Sequence, residues 1–229
     1  MSTSRVAAPA DPSPERPAER PVDRTPERAP RRAPVQARSR RKVEALLDAA
    51  ESAVLDHGVE ALTTREIAQR AGVPVATLYQ YFADKEDLLL ALVERHTAEM
   101  DEQVAHDVGA VTEAGRLTIA SLVDAVLDAF TAVYRRRPAF VEIYLRGRTN
   151  LAVHASGRAH NREVAATLRA LAVAEGLTGP DLPEQAAVLA VEIGDRMFQL
   201  AYEHDLAGDP AIIAQGRLML TSYLERFAR

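Results

Sequence analysis

From Val43 onward, apolar residues recur every three or four positions, and no stretch alternates apolar with polar as a half-buried strand would. That period admits helices packed on helices and little else. Val43, Leu46, Leu47, Ala50 and Val54 form one stripe of a first helix that begins at Arg38, and Gly58 supplies its C-terminal cap. Leu89, Leu92, Val93, His96 and Met100 form a second stripe. A third runs from Ile119 through Leu122, Val126, Phe130 and Tyr134 until Pro138 stops the helix. Shorter helical stretches around Phe140 to Leu145 and Arg162 to Glu175, a loop from Gly176, and two long helices from Pro183 to about Asp205 and Pro210 to Phe227 complete an all-α reading.

The first 34 residues hold eight of the 13 prolines and lack apolar periodicity, so Met1 to Ala37 reads as a disordered Arg/Pro-rich tail. The net charge of −5 hides a polarised chain. Residues 1–42 carry eleven basic side chains against five acidic, whereas the remainder carries 17 basic and 28 acidic. Cysteine is absent, which excludes disulfides and thiolate metal sites. No run of about 18 apolar residues occurs, so a cytoplasmic protein without a membrane partner is expected.

The segment from Leu62 to Leu89 has the chemistry of a reader. Thr63 and Glu66 have capping-box spacing at the start of a short helix with Ile67, Ala68 and Ala71 inward. Gly72 and Val73 give a tight turn, and Pro74 opens a second short helix to about Phe82. That helix can anchor only Leu78 and Phe82, leaving Thr77, Tyr79, Gln80 and Tyr81 exposed. Hydroxyls suit phosphate oxygens and a Gln amide suits adenine in the major groove, so duplex DNA fits the exposed set. Arg38 to Leu88 has seven basic and nine acidic residues, so binding must depend on where Arg38, Arg40, Arg41, Lys42 and Lys85 are placed.

ThrThrArgGluIleAlaGlnArgAlaGlyValProValAlaThrLeuTyrGlnTyrPheAlaAspLysGluAspLeuLeu resembles the DNA-binding signature of TetR-family regulators, a likeness covering about Arg38 to Val93. It implies a helix-turn-helix DNA-binding domain over 38–88 and a helical effector-binding and dimerisation domain over 89–229. It further implies that Thr64 and Arg65 approach the backbone or a base edge, that Val75, Ala76 and Gln80 face bases, and that Thr77, Tyr79, Tyr81 and Lys85 hold phosphates. Two positions depart from the family pattern: Pro74 stands where a capping polar residue is frequent, and Ala76 where glycine is.

The helix from Pro183 has one apolar stripe through Ala186, Leu189, Ile193, Met197 and Leu200, and a second through Val188, Val191, Phe198 and Tyr202. A helix apolar on two faces is buried on two sides, so it and the last helix, with Ile212, Gly216, Met219, Leu220, Tyr223 and Phe227, are expected to form a homodimer interface as well as core. A dimer reads a palindrome with half-sites about 34 to 36 Å apart. The resemblance implies a small-molecule cavity in the second domain, for which Phe130, Tyr134, Phe140, Tyr144, Met197, Phe198 and Tyr202 are candidate wall residues, each also suited to plain core packing. Arg135, Arg136, Arg137, Arg146 and Arg148 flank that region and suit either an anionic effector or solvated helix ends.

Neither a cofactor nor a metal site is expected, because Glu192, Asp195 and His204 match no ligand spacing. Catalysis is excluded by the want of a nucleophile and base arrangement, a HisGluXXHis motif or a phosphate loop. The reading is a DNA-binding transcriptional regulator, a repressor released from its operator by an effector. A ligand-independent or activating regulator and a helical interaction module remain as alternatives.

Overall fold

The computed structural model describes residues 32–147 and 151–229, so residues 1–31 of the expected tail, and Arg148, lie outside it. Among the described residues nine α-helices follow in order: α1 (Arg32–Ala61), α2 (Thr64–Arg70), α3 (Val75–Leu78), α4 (Lys85–Glu113), α5 (Ile119–Arg136), α6 (Pro138–Phe140), α7 (Leu151–Ala174), α8 (Glu184–Ala201) and α9 (Pro210–Glu225). A π-helical turn, Val141–Leu145, continues α6. Among the described residues there is no strand, only one antiparallel bridge between Thr178 and Ala228.

α1 begins six residues before the expected Arg38. Those residues lack an apolar stripe, yet Ala, Arg and Gln favour helix, and Pro34 falls in the first turn where no N–H is needed. Gly58 interrupts α1 at φ +79 and ψ 169, an extended positive-φ conformation that favours glycine rather than the expected left-handed cap, and the helix resumes over residues 59–61. α7 begins at Leu151 rather than Arg162, because its first three turns carry His, Ser, Gly and Arg between few apolar residues. The stretch from Phe140 proves to be the end of α6 and the π turn.

Leu46, Leu47, Ala50 and Val54 of α1, Ile67 and Ala68 of α2, Leu78 and Phe82 after the turn, and Leu88, Leu89 and Leu92 of α4 close the N-terminal core. α4 therefore belongs to both halves of the molecule, and a boundary at residue 88 runs through an unbroken helix. Its later turns pack on α5 and α7, while α7, α8 and α9 pack in sequence and α9 returns to α5. Arg217 of α9 clamps that return, donating to Asp124 at 2.6 Å and Asp128 at 2.5 Å on α5.

The two halves meet where α1 packs on α6 and the π turn. Arg95 of α4 donates to Asp48 (2.7 Å) and Glu51 (2.6 Å) of α1, and Arg137 donates to Glu99 (2.7 Å) while approaching Glu51 at 3.7 Å. Hydrogen bonding and charge from Arg137 and Arg136 hold the Glu99 carboxyl below the usual carboxylate range despite its partial burial. Arg146 pairs with Glu142 one turn back. Three of the five arginines near the expected cavity are thus occupied by carboxylates.

Candidate nucleic-acid interface and effector cavity

Thr63 caps α2 by accepting the Glu66 N–H at 3.2 Å. The reciprocal half of the expected capping box is absent. Glu66 instead takes Arg70 through Nε (3.0 Å) and Nη2 (2.7 Å), since a charge-assisted pair is stronger than a bond to a neutral N–H. Arg70 also reaches Asp56 (2.5 Å) and Ser52 (3.2 Å) of α1, which fastens α2 in place. Its hydrogen bond to Asp56 holds that carboxyl below its usual range.

The turn after α2 satisfies its last carbonyls in Schellman fashion, with Val73 N–H donating to Ala68 (3.0 Å) and Gly72 N–H to Gln69 (3.1 Å). Gly72 sits at φ +67, a conformation that L side chains rarely adopt. Pro74 lies just outside α3 as its N-cap and not within the first turn as expected; its carbonyl accepts the Thr77 N–H at 2.8 Å. Regular helix ends at Leu78, and tighter turns continue the path to Phe82 through bonds from Gln80 to Thr77 and from Tyr81 to Leu78.

Leu78 and Phe82 are buried, and around them Ala76, Tyr79 and Gln80 are exposed, Tyr79 by 53%. Thr77, Tyr81 and Lys85 are half-buried, as is Thr64, while Arg65 is exposed. Val75 is half-buried and packs partly against the N-terminal core. Two hydroxyl contacts position this face: Thr64 with Tyr79 at 3.1 Å, and Ser39, which donates to the Tyr81 hydroxyl at 3.2 Å. Ser39 was not singled out in the sequence. It brings the basic run Arg38 to Lys42 of α1 beside the second motif helix, which explains how an acidic domain presents a locally basic edge.

In the second half, a cavity of about 110 Å³ lies among α5, α7, α8 and α9, walled by apolar side chains such as Val126, Leu168, Val191 and Leu224. A smaller one of about 20 Å³ lies beside it towards α4 and the π turn. Phe130 and Phe198 wall the larger, and Phe130, Tyr134, Phe140 and Tyr144 the smaller. Met197 and Tyr202 wall neither. Met197 is pressed to the α9 backbone at Gly216, where an added Cβ would meet it at 2.4 Å, and Tyr202 packs on Tyr134 and over Gly208. The sequence reading missed the α7 wall, above all Asn161, which is only 6% exposed and borders both cavities. A polar residue three and four positions before Val164 and Ala165 on one stripe was the available signal.

Tyr144 of the π turn donates to Asp195 Oδ1 at 3.0 Å, and Gln199 donates to Oδ2 at 2.8 Å. Burial, and then the neighbouring Glu192 charge, push the Asp195 carboxyl up against these two hydrogen bonds. Burial and the Asp195 charge push the Tyr144 phenol up as well, so it stays protonated and donates. No group of three or more metal-ligating side chains lies together among the described residues, and no described helix is long and apolar enough to cross a membrane.

The family model of bacterial regulatory proteins of the tetR family matches residues 46–92, and that of the tetracyclin repressor-like C-terminal domain matches 118–224. An uncharacterized HTH-type transcriptional regulator of Mycobacterium tuberculosis is 30% identical over 146 residues, 64% of this chain and 67% of that protein. The HTH-type transcriptional activator FasR of Mycolicibacterium smegmatis is 36% identical over 83 residues, 36% of this chain, and the match spans only 37% of its length. The crystal structure of a TetR-family transcriptional regulator from Streptomyces coelicolor superposes with a TM-score of 0.62 at 29% identity, over 81% of this chain and 99% of that one.

Proposed function

The chain belongs to the TetR family of DNA-binding transcriptional regulators, and we propose that it represses from a palindromic operator as a homodimer and lets go when a small apolar molecule enters the cavity beside α7. The exposure of Ala76, Tyr79 and Gln80 around the buried Leu78, on a helix too short to stand alone, is the observation on which this rests. Such a face gains from a duplex what it lacks from its own chain. In this reading Val75, Ala76 and Gln80 face bases, Arg65 and Thr64 reach the backbone or a base edge, and Thr77, Tyr79, Tyr81 and Lys85 hold phosphates. The tail adds nonspecific attraction to phosphates.

Dimerisation is supported by the outer face of the last two helices, where Leu189 and Leu200 of α8 and Leu218 and Met219 of α9 are all exposed. The apolar cavity supports an effector, and the α1 junction with α6 and the π turn supplies a route to the reading heads. A coupling of about 1 to 3 kcal/mol between the two sites changes DNA affinity about 5- to 150-fold.

Titration of the full chain into labelled duplex from upstream of its own gene, followed by anisotropy at near-physiological salt, tests the reading. Tight binding to that duplex but not to a shuffled one, lost in the double variant Gln80→Ala, Tyr81→Ala, is expected. Binding that survives the double variant would overturn the assigned interface.

A further inference from the structure

Among the described residues three border both cavities: Phe130, Asn161 and Asp195. They place an aromatic ring, an amide and a carboxylate at one partition. Phe130 lies flat against Phe198, with centroids 5.7 Å apart and planes inclined by 10°. Asn161 is almost fully buried, its side chain hydrogen-bonded to Tyr144 and its amide donating to Glu192 at 3.5 Å. Asp195 is held by two neutral donors, the Tyr144 hydroxyl and the Gln199 amide; among the described residues no Lys or Arg is hydrogen-bonded to it, and His154 is the cationic side chain whose charge reaches it.

The other charge on the cavity wall is Arg169, two turns along α7 and about 12 Å from Asn161 at the helical rise. Its guanidinium is engaged by backbone, Nε donating to the Leu182 carbonyl at 2.8 Å and Nη2 to that of Pro180 at 3.3 Å. Arg136, Arg137 and Arg146 are turned to Glu99, Glu51 and Glu142. The partition is therefore acidic, and Glu192 adds a second carboxyl nearby. A carboxylate in an apolar wall that is hydrogen-bonded only by neutral donors favours a ligand that brings it a cation. An amide oxygen and an aromatic ring beside it complete a set suited to an ammonium group.

We propose that the cavity takes a small apolar molecule bearing a protonated amine, with Asp195 as its counter-ion and Asn161 and Phe130 as its further partners. This rests on the effector reading above. The ammonium N–H groups compete with Tyr144 for Asp195 Oδ1. Tyr144 rides on the π turn, and that turn packs against α1 of the DNA-binding domain, so a change of partner at Asp195 is delivered to the helix that holds Tyr81 through Ser39.

Isothermal titration calorimetry of the full chain with n-hexylamine, hexan-1-ol and hexanoate, three probes of one chain length and different charge, tests the proposal. The amine is expected to bind at least about tenfold tighter than the alcohol. Asp195→Asn is expected to abolish that preference, with unchanged helical content by circular dichroism showing that the variant is folded. Tyr144→Phe is expected to keep the preference. Equal binding of amine and alcohol, or hexanoate binding tightest with its preference lost in Arg169→Gln, overturns the amine assignment and leaves the effector cavity standing. If none of the three binds, the effector reading falls with it.

Discussion

The hydroxyls of Thr64 and Tyr79 meet at 3.1 Å, tying the first turn of α2 to the exposed ring beyond the glycine turn. α3 is a single regular turn, so the direction of its outward side chains is set by such neighbours and not by the helix alone. Tyr79→Phe keeps the ring and removes the bond. Anisotropy titrations are expected to show binding weakened several-fold on native and shuffled duplex alike, as for a phosphate contact, with the melting temperature moved by less than about 2 °C.

Gln80 is exposed on the same face, and among the described residues its amide has no hydrogen-bond partner that competes with a base. Gln80→Ala is expected to reduce the preference for the native over a shuffled duplex by about 1 to 3 kcal/mol while changing nonspecific binding little. An equal loss on both duplexes would move Gln80 from base reader to backbone contact.

Gly72 has φ +67 and open space where a Cβ would stand. The penalty of substitution is then conformational and not steric. Gly72→Ala is expected to lower the urea midpoint, corresponding to about 1 to 2 kcal/mol, and Gly72→Asn to cost less, since Asn tolerates the left-handed region.

His96 is 1% exposed, stacks near Phe140 with centroids 5.5 Å apart, and neither ring nitrogen has a hydrogen-bond partner. Burial first, then the charges of Arg95 and Arg137, push its imidazole down from 6.5 to about 4. The unfolded chain thus takes up a proton that the folded one refuses between those values. Stability is full above pH 6.5 and falls as pH drops towards 4, by up to about 1.4 kcal/mol per unit. Denaturation of wild type and His96→Leu at pH 7 and pH 5 checks this: the variant is expected to lose much of the slope.

Leu218 is 62% exposed on α9, on the outer side of a helix whose inner side packs Gly216 to Met197. Leu218→Glu is expected to convert a dimer to a monomer in sedimentation velocity with helical content unchanged. DNA affinity should fall with it, because a single head reads only one half-site. A wild type that sediments as a monomer at micromolar concentration would remove the dimer from the proposal.

Helices were legible because their determinants are local. The stripe Leu46, Leu47, Ala50, Val54, the cap at Thr63, the left-handed Gly72 and the break at Pro138 each act over one or two turns, and each is found where the period and the residue chemistry place it. The reader face was legible for the same reason: within nine residues only Leu78 and Phe82 could be inward, so Tyr79 and Gln80 had to be outward. Where local determinants were weak, at the start of α1 and the first turns of α7, helix formed without a stripe to announce it.

Tertiary structure decided everything that joins distant residues. Glu66 left its capping role because Arg70 was within reach, and Arg70 was committed there by Asp56 on another helix. Met197 and Tyr202 shared an amphipathic helix with Phe198, yet only Phe198 reached the cavity, because which arc of a two-faced helix meets a void depends on how α9 approaches, and Gly216 lets it approach closely. Asn161 and Asp195 lie 34 positions apart in the sequence and share a wall only after α7 and α8 pack. A repeat of 3.6 residues specifies which side of a helix is buried; the partner it is buried against, and the space left between them, follow from packing that no single helix encodes.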